Sequence, residues 1–158
     1  MKVVIIDDDQ VYFDLIAEYL KYLGMEFYPK YTEEFLAFRS EVRCIFSQRK
    51  SIREQSLENV IRKINELKNG NDEIVYVIDY SLDDSDPETN GVSLCENIFS
   101  PGFNEKVILV SKTSDRNDLN RINDFVVNNL NCSYLSKNNK RFVQMLLQKI
   151  YTKISLVV

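Results

Sequence analysis

The sequence predicts an α/β fold, a doubly wound parallel sheet covered by helices on both faces. Three observations predict it. Short apolar, β-branched runs recur at Val3-Val4-Ile5-Ile6, Ile74 to Ile78 and Val107 to Val110, and each reads as a strand buried on both sides. Segments with apolar residues at helical spacing lie between these runs. Each run is followed at once by a polar residue: Asp7-Asp8, Asp79 and Ser111 respectively.

The elements follow in order. Lys2 to Ile6 is the first strand. Tyr12, Ile16, Tyr19, Leu20 and Leu23 then mark a helix that Gly24 ends and one of Asp7, Asp8 and Asp9 caps. Met25 to Tyr28 is a second strand. Thr32 to Asn69 is helical throughout, with one stripe at Phe35, Phe38, Val42 and Ile45 and another at Leu57, Val60, Ile61, Ile64 and Leu67. It predicts two helices with a break near Lys50-Ser51, or one long bent helix. Asn69-Gly70-Asn71-Asp72 is a turn signal. After the third strand comes an acidic loop, Asp83 to Glu88, and Asn90-Gly91 then opens a short helix carrying Leu94, Cys95 and Ile98. Pro101-Gly102 makes a turn before the fourth strand. Leu119, Ile122, Phe125 and Val126 mark the next helix, Ser133 to Ser136 a fifth strand ended by Lys137, and Phe142, Leu146 and Ile150 the last helix.

Composition narrows the chemistry. The 158 residues suit one compact domain spanning 1–158, and the formal net charge of −4 gives no case for direct nucleic-acid binding. There is no histidine, which excludes Ser-His-Asp and Cys-His catalysis and zinc sites of the histidine type. Cys44, Cys95 and Cys132 are widely spaced and odd in number, as expected of free thiols in a reducing interior and a cytoplasmic protein. The four glycines form neither of the glycine-rich nucleotide-cradling loops. No apolar run approaches the ~20 residues of a membrane span, so no membrane partner is expected.

In an open parallel sheet, ligands bind beyond the carboxyl ends of the strands. Four strand ends here offer Asp7-Asp8, Asp79, Ser111 and Lys137. Neighbouring strands sit about 4.8 Å apart, so these groups can converge. Clustered carboxylates repel one another and call for a hard cation, and oxygen donors suit Mg²⁺. A carboxylate beside a metal, a lysine and a hydroxyl is the equipment for phosphoryl transfer to aspartate.

These residues, in the segments VVIIDDDQ, VYVIDYSLDD…NGVSLCENI, VILVSK and CSYLSK, resemble the receiver domain of bacterial two-component response regulators over nearly the whole chain. The resemblance implies a flavodoxin-like five-stranded sheet of order 2-1-3-4-5. It implies that Asp79 accepts a phosphoryl group and that Asp7, Asp8 and Asp79 hold Mg²⁺ with the backbone carbonyl of Ser81. Ser111 would follow the phosphoryl group, Lys137 would contact it, and Tyr134 would be the switch aromatic. The chain would be a phosphoacceptor and no enzyme beyond self-phosphorylation from small donors and self-dephosphorylation. Its partners would be a histidine kinase or histidine phosphotransfer protein and an unknown downstream protein. Having no histidine, the chain must receive its phosphoryl group from a partner or a small phosphodonor.

Four departures stand out. Lys112 replaces the family's small residue after the switch hydroxyl, where it would crowd the phosphoryl site or pair with it. Asn138 replaces a proline that follows a cis bond; a cis bond before asparagine costs about 3 kcal/mol, so a trans bond and a slightly relocated Lys137 are expected. The Asp79–Gly91 loop is longer than usual, and so is the helical segment between strands two and three. That segment reads as an enlarged helix packed on the sheet or as a partner surface. Charge is polarised as well: residues 72–90 hold seven acids and no base, and residues 137–158 hold five bases and no acid. The basic run reads as a solvated face or as a docking face for an acidic partner.

Two other readings compete. A receiver-like interaction module that is never phosphorylated is motivated by Lys112 and Asn138. A haloacid-dehalogenase-type phosphatase matches Asp7-Asp8-Asp9-Gln10-Val11, Ser111 and Lys137, but that family needs a further acidic pair after the lysine and residues 137–158 hold none.

Overall fold

A computed structural model describes the backbone of residues 1–70 and 73–155, and side chains up to residue 152. Asn71 and Asp72 of the expected turn, and the side chain of Lys153 in the basic run, lie outside what is described. The elements are β1 (Lys2–Ile6), α1 (Gln10–Tyr22), β2 (Glu26–Tyr28), α2 (Thr32–Cys44), α3 (Lys50–Lys68), β3 (Ile74–Asp79), α4 (Gly91–Ile98), β4 (Lys106–Ser111), α5 (Arg116–Asn128), β5 (Cys132–Ser136) and α6 (Phe142–Ser155). The five strands form one parallel sheet in the order β2-β1-β3-β4-β5, the flavodoxin-like order. The order reverses between β1 and β3, and a crevice opens there at the carboxyl ends of the strands.

The alternation of side chains along each strand divides the core in two. Val4, Ile6, Tyr76, Ile78, Val107 and Leu109 point to one face, which α3, α4 and α5 cover with Val60, Ile64, Leu94, Ile122 and Phe125. Val3, Ile5, Val75, Val77, Ile108 and Val110 point to the other, covered by α1 and α6 with Phe13, Ile16, Leu20, Phe142, Leu146 and Ile150. Burial on both faces explains why these strands read as continuous apolar runs.

Three details differ from the sequence reading. In α1 the buried residues are Phe13, Ile16 and Leu20, while Tyr19 and Leu23 are exposed. Phe13 turns inward because its ring stacks on Phe35 of α2, centroids 4.4 Å apart. The long helical segment is two helices, but the break is at Ile45–Arg49 and Lys50 already opens α3. The amides of Ile45, Phe46 and Ser47 tighten onto the carbonyls three residues back, and the Ser47 hydroxyl accepts from the Arg49 amide at 3.2 Å. Finally, α2 straddles the sheet edge, sending Phe35 into one core half and Phe38, Val42 and Ile45 into the other.

Elsewhere the expected punctuation holds. Asp9 caps α1, accepting from the Val11 amide at 2.9 Å. Gly24 follows the helix at φ 68°, a left-handed conformation that glycine adopts without strain. No described helix is long and apolar enough to cross a membrane.

Candidate functional site

The crevice is a cavity of about 450 Å³ at the carboxyl edge, and Asp8, Asp79, Ser81, Ser111, Lys112 and Lys137 all reach its wall. The sheet register sets this convergence. Asp79 closes β3 opposite Val110, and Ser111 closes β4 opposite Ser136. Backbone bonds past the strand ends lock the level of each loop: Tyr80 N donates to Val110 O and Lys137 N to Ser111 O, both at 2.8 Å.

Asp7 and Asp79 are buried at 3% and 5% exposure, and Lys137 lies between them at 6%. The Lys137 ammonium is 2.9 Å from Asp7 Oδ2 and 3.2 Å from Asp79 Oδ2. It donates a hydrogen bond to Asp7 Oδ1 at 3.1 Å, while Asp7 Oδ2 has no hydrogen bond among the described residues despite that close ionic contact. Burial, then the negative charge of Asp7, pushes the Asp79 carboxyl above the usual range; the opposing pull of Lys137 is smaller. Burial likewise raises Asp7 against the pull of Lys137. Burial works against the charge on Lys137, but the two carboxylates outweigh it and hold its pKa above that of an ordinary lysine. Two buried carboxylates share one ammonium, so a negative charge is left uncompensated once both are ionised; burial and then this repulsion raise the Asp79 pKa.

Ser111 is 1% exposed, and its hydroxyl accepts from the Thr113 amide at 2.9 Å. From there a polar chain runs outward: Thr113 Oγ1 donates to Asp118 Oδ2 at 2.9 Å, and Tyr80 OH donates to Asp118 Oδ1 at 3.1 Å. Tyr134 stands away from the cavity wall, half-buried against the α3–α4–α5 half of the core. Burial raises its phenol pKa, with Ser136 pulling the other way.

The two unusual residues turn out to be tied down. Lys112 does not sit on Asp79; its ammonium is 3.4 Å from Asp9 Oδ2 and 4.6 Å from the Tyr12 ring centroid. Asn138 follows a trans bond, since Tyr28–Pro29 is the one cis peptide among the described residues. The Asn138 side-chain Nδ2 donates to Lys112 O at 3.0 Å, linking the loops after β4 and β5.

The long acidic loop is closed on itself. Leu82 N donates to Thr89 O at 3.1 Å, and Asp83 and Asp86 accept from the Ser85 and Glu88 amides at 2.9 and 3.0 Å. Those carboxylates are local turn formers, although Asp83 and Asp84 also reach the cavity wall. Asn90 caps α4, accepting from Ser93 N at 2.9 Å. Gly91 permits a close approach: a Cβ there would lie 2.6 Å from the Asp79 carbonyl oxygen.

Three contributors were not expected from the sequence. The Tyr12 ring lies 4.3 Å from the Lys137 ammonium and provides a cation–π floor. Arg43 of α2 pairs with the Asp8 carboxylate, and its Nε donates to Leu82 O at 3.2 Å. Arg39, one helical turn earlier, donates to Asp8 O at 3.0 Å. The available signal was two arginines at i, i+4 among core residues, a pattern that solvated helix faces also show.

The donor set suits a hard cation. Asp8, Asp79 and Ser81 offer oxygen ligands around one cavity, and when Asp7 and Asp79 are both ionised Lys137 alone does not balance them. Among the described residues no three histidine, cysteine, aspartate or glutamate side chains are grouped to hold a metal ion; Asp7 faces Lys137 and Asp8 faces Arg43.

No family model matches the sequence, and no curated protein matches it. Among solved structures, the chain is similar to the signal receiver domain of a modulated diguanylate cyclase from Desulfovibrio desulfuricans G20. The two share 16% identity with a TM-score of 0.54, over 98% of this chain and 93% of that one. Sheet order, strand-end residues and this likeness agree, and the chain has the fold of a signal receiver domain.

Proposed function

We propose that the chain is a phosphoacceptor that takes a phosphoryl group onto the Asp79 carboxylate, in the presence of Mg²⁺, from the phosphohistidine of a kinase or phosphotransfer protein. An Asp79 oxygen would attack phosphorus in line, the P–N bond would break, and the leaving imidazole would take up a proton. The observation that carries this reading is the place of Asp79: at the end of the central strand, on a cavity wall, 3.2 Å from a buried lysine and beside a buried serine. The resident lysine neutralises charge on the transferring group, and Ser111 donates a hydrogen bond to it afterwards. Mg²⁺, held by Asp8, Asp79 and the Ser81 carbonyl, would supply the rest of the charge compensation; Asp7, expected as a fourth ligand, lies off the cavity wall and pairs with Lys137 instead. The added phosphoryl charge and acceptor oxygens would draw Ser111 inward and bias the face formed by α5, β5 and α6, so the signal would pass by protein–protein contact.

The test is beryllofluoride, which mimics an acyl phosphate, added with Mg²⁺ and followed by NMR. Amide shifts at Ser111 and Lys137 that appear in the wild type and vanish in Asp79→Asn support the reading. Identical responses in the two proteins contradict it. The second reading, an interaction module that is never phosphorylated, is favoured by one observation: each inner-site carboxylate already has a protein cation beside it.

A further inference from the structure

The residue least expected at this site is Arg43, which comes from α2 in the enlarged segment between β2 and β3. Its guanidinium makes two contacts that belong to different elements. One edge pairs with the Asp8 carboxylate just after β1, and Nε donates to the Leu82 carbonyl in the loop after β3, at 3.2 Å. The contact is well supported. Arg39 binds the Asp8 carbonyl at 3.0 Å, Val42 beside Arg43 is 2% exposed, and Leu82 is 2% exposed with its amide held by Thr89. Asp8 is itself largely enclosed, with its side chain 14% exposed. A planar fork is suited to hold a carboxylate and a carbonyl together, and a partly buried pair of this kind is screened far less than a surface one.

We infer that Arg43 is a built-in competitor for the metal: it neutralises Asp8 in the metal-free protein, and a divalent cation must displace it to bind. The inference rests on the proposed function only in taking Asp8 and Asp79 as the Mg²⁺ ligands. Arg43 already neutralises Asp8 at Oδ1, and a divalent cation at the same carboxylate meets its repulsion at close range, so metal binding and the Arg43–Asp8 pair compete. Displacement also frees Leu82 O, which couples the site to the C-terminal end of α2 and to the acidic loop. The enlarged helical segment would then report the metal state of the crevice.

Titration calorimetry of magnesium chloride, with no phosphodonor present, tests this. Arg43→Gln keeps most of the side chain and removes the charge. It is expected to bind Mg²⁺ at least about tenfold more tightly than the wild type, and adding Asp8→Asn in that background is expected to abolish the gain. Equal or weaker binding by Arg43→Gln overturns the inference. The wild type gives a reading that needs no variant. Its Arg43 Nε–H resonance is expected to shift as Mg²⁺ saturates the site, and an unmoved resonance at saturation overturns the inference equally. Mg²⁺ binding that responds to Arg43 while Asp79 never gains a phosphoryl group would sink the phosphoacceptor reading and leave this one standing.

Discussion

The Lys137 ammonium stands 3.2 Å from Asp79 Oδ2, with the two side chains 2% and 7% exposed. It also reaches Asp7 at 2.9 Å, so one cation balances two carboxylates. Lys137→Met would leave both without a partner charge, although Asp7 Oδ1 still accepts from the Asp9 amide at 2.8 Å. Loss of a buried partner charge costs about 3–5 kcal/mol, and urea denaturation in metal-free buffer is expected to show a loss of that size. An unchanged midpoint would mean that Lys137 does not hold the inner site together.

The opposite sign is expected for Asp79→Asn. That change leaves one lysine facing one carboxylate, and the metal-free protein should gain about 1–2 kcal/mol at neutral pH. The pH dependence follows from the raised carboxyl. A folded-state pKa above the ordinary 3.8 means that the native state binds more protons than the unfolded chain, so wild-type stability falls as pH rises from 3.8 until Asp79 is ionised. Asp79→Asn should flatten that slope, and a slope shared by both proteins would contradict the assignment.

Gly91 has a sharper structural role than its place as the first residue of a helix suggests. A Cβ there would meet the Asp79 carbonyl oxygen at 2.6 Å, Ile78 Cγ2 at 3.0 Å and Leu109 Cδ2 at 3.2 Å. Gly91→Ala is expected to cost about 1–3 kcal/mol by overpacking and, because the atom displaced belongs to Asp79, to slow phosphorylation as well. Thermal melts and the rate of labelling by acetyl phosphate check the two halves separately.

Tyr76 lies in the middle of β3, fully buried, and its hydroxyl has no hydrogen-bond partner among the described residues. Burial drives its pKa far up. Tyr76→Phe removes an unsatisfied polar atom and keeps the ring that packs edge-on against Phe99 at 5.0 Å. A gain of about 1 kcal/mol is expected in chemical denaturation; a loss would mean that the hydroxyl has a partner in solution.

The parallel sheet was legible because buried strands leave continuous β-branched runs, and Asp7, Asp79 and Ser111 were legible because each follows such a run; Lys137 follows the more polar Cys132–Ser136 strand and was placed by the alternation of elements. Helix faces were read less well. Tyr19 and Leu23 fit the period of α1, but the stacking of Phe13 on Phe35 fixed its rotation, and that is a tertiary contact no single segment encodes. Arg43 escaped for a similar reason. It is 35 residues from Asp8 in the chain, and only the docking of α2 at the sheet edge brings the two together. Lys112 was expected at the phosphoryl site, yet Asp9 and Tyr12 draw it to the rim, two neighbours that the linear sequence places far away.

The most direct measurement is the intact mass of the protein after incubation with acetyl phosphate and Mg²⁺. The account predicts a gain of one phosphoryl group in the wild type, mapped to Asp79, sensitive to hydroxylamine as an acyl phosphate is, and absent from Asp79→Asn. No gain in the wild type, or the same gain in Asp79→Asn, would contradict it.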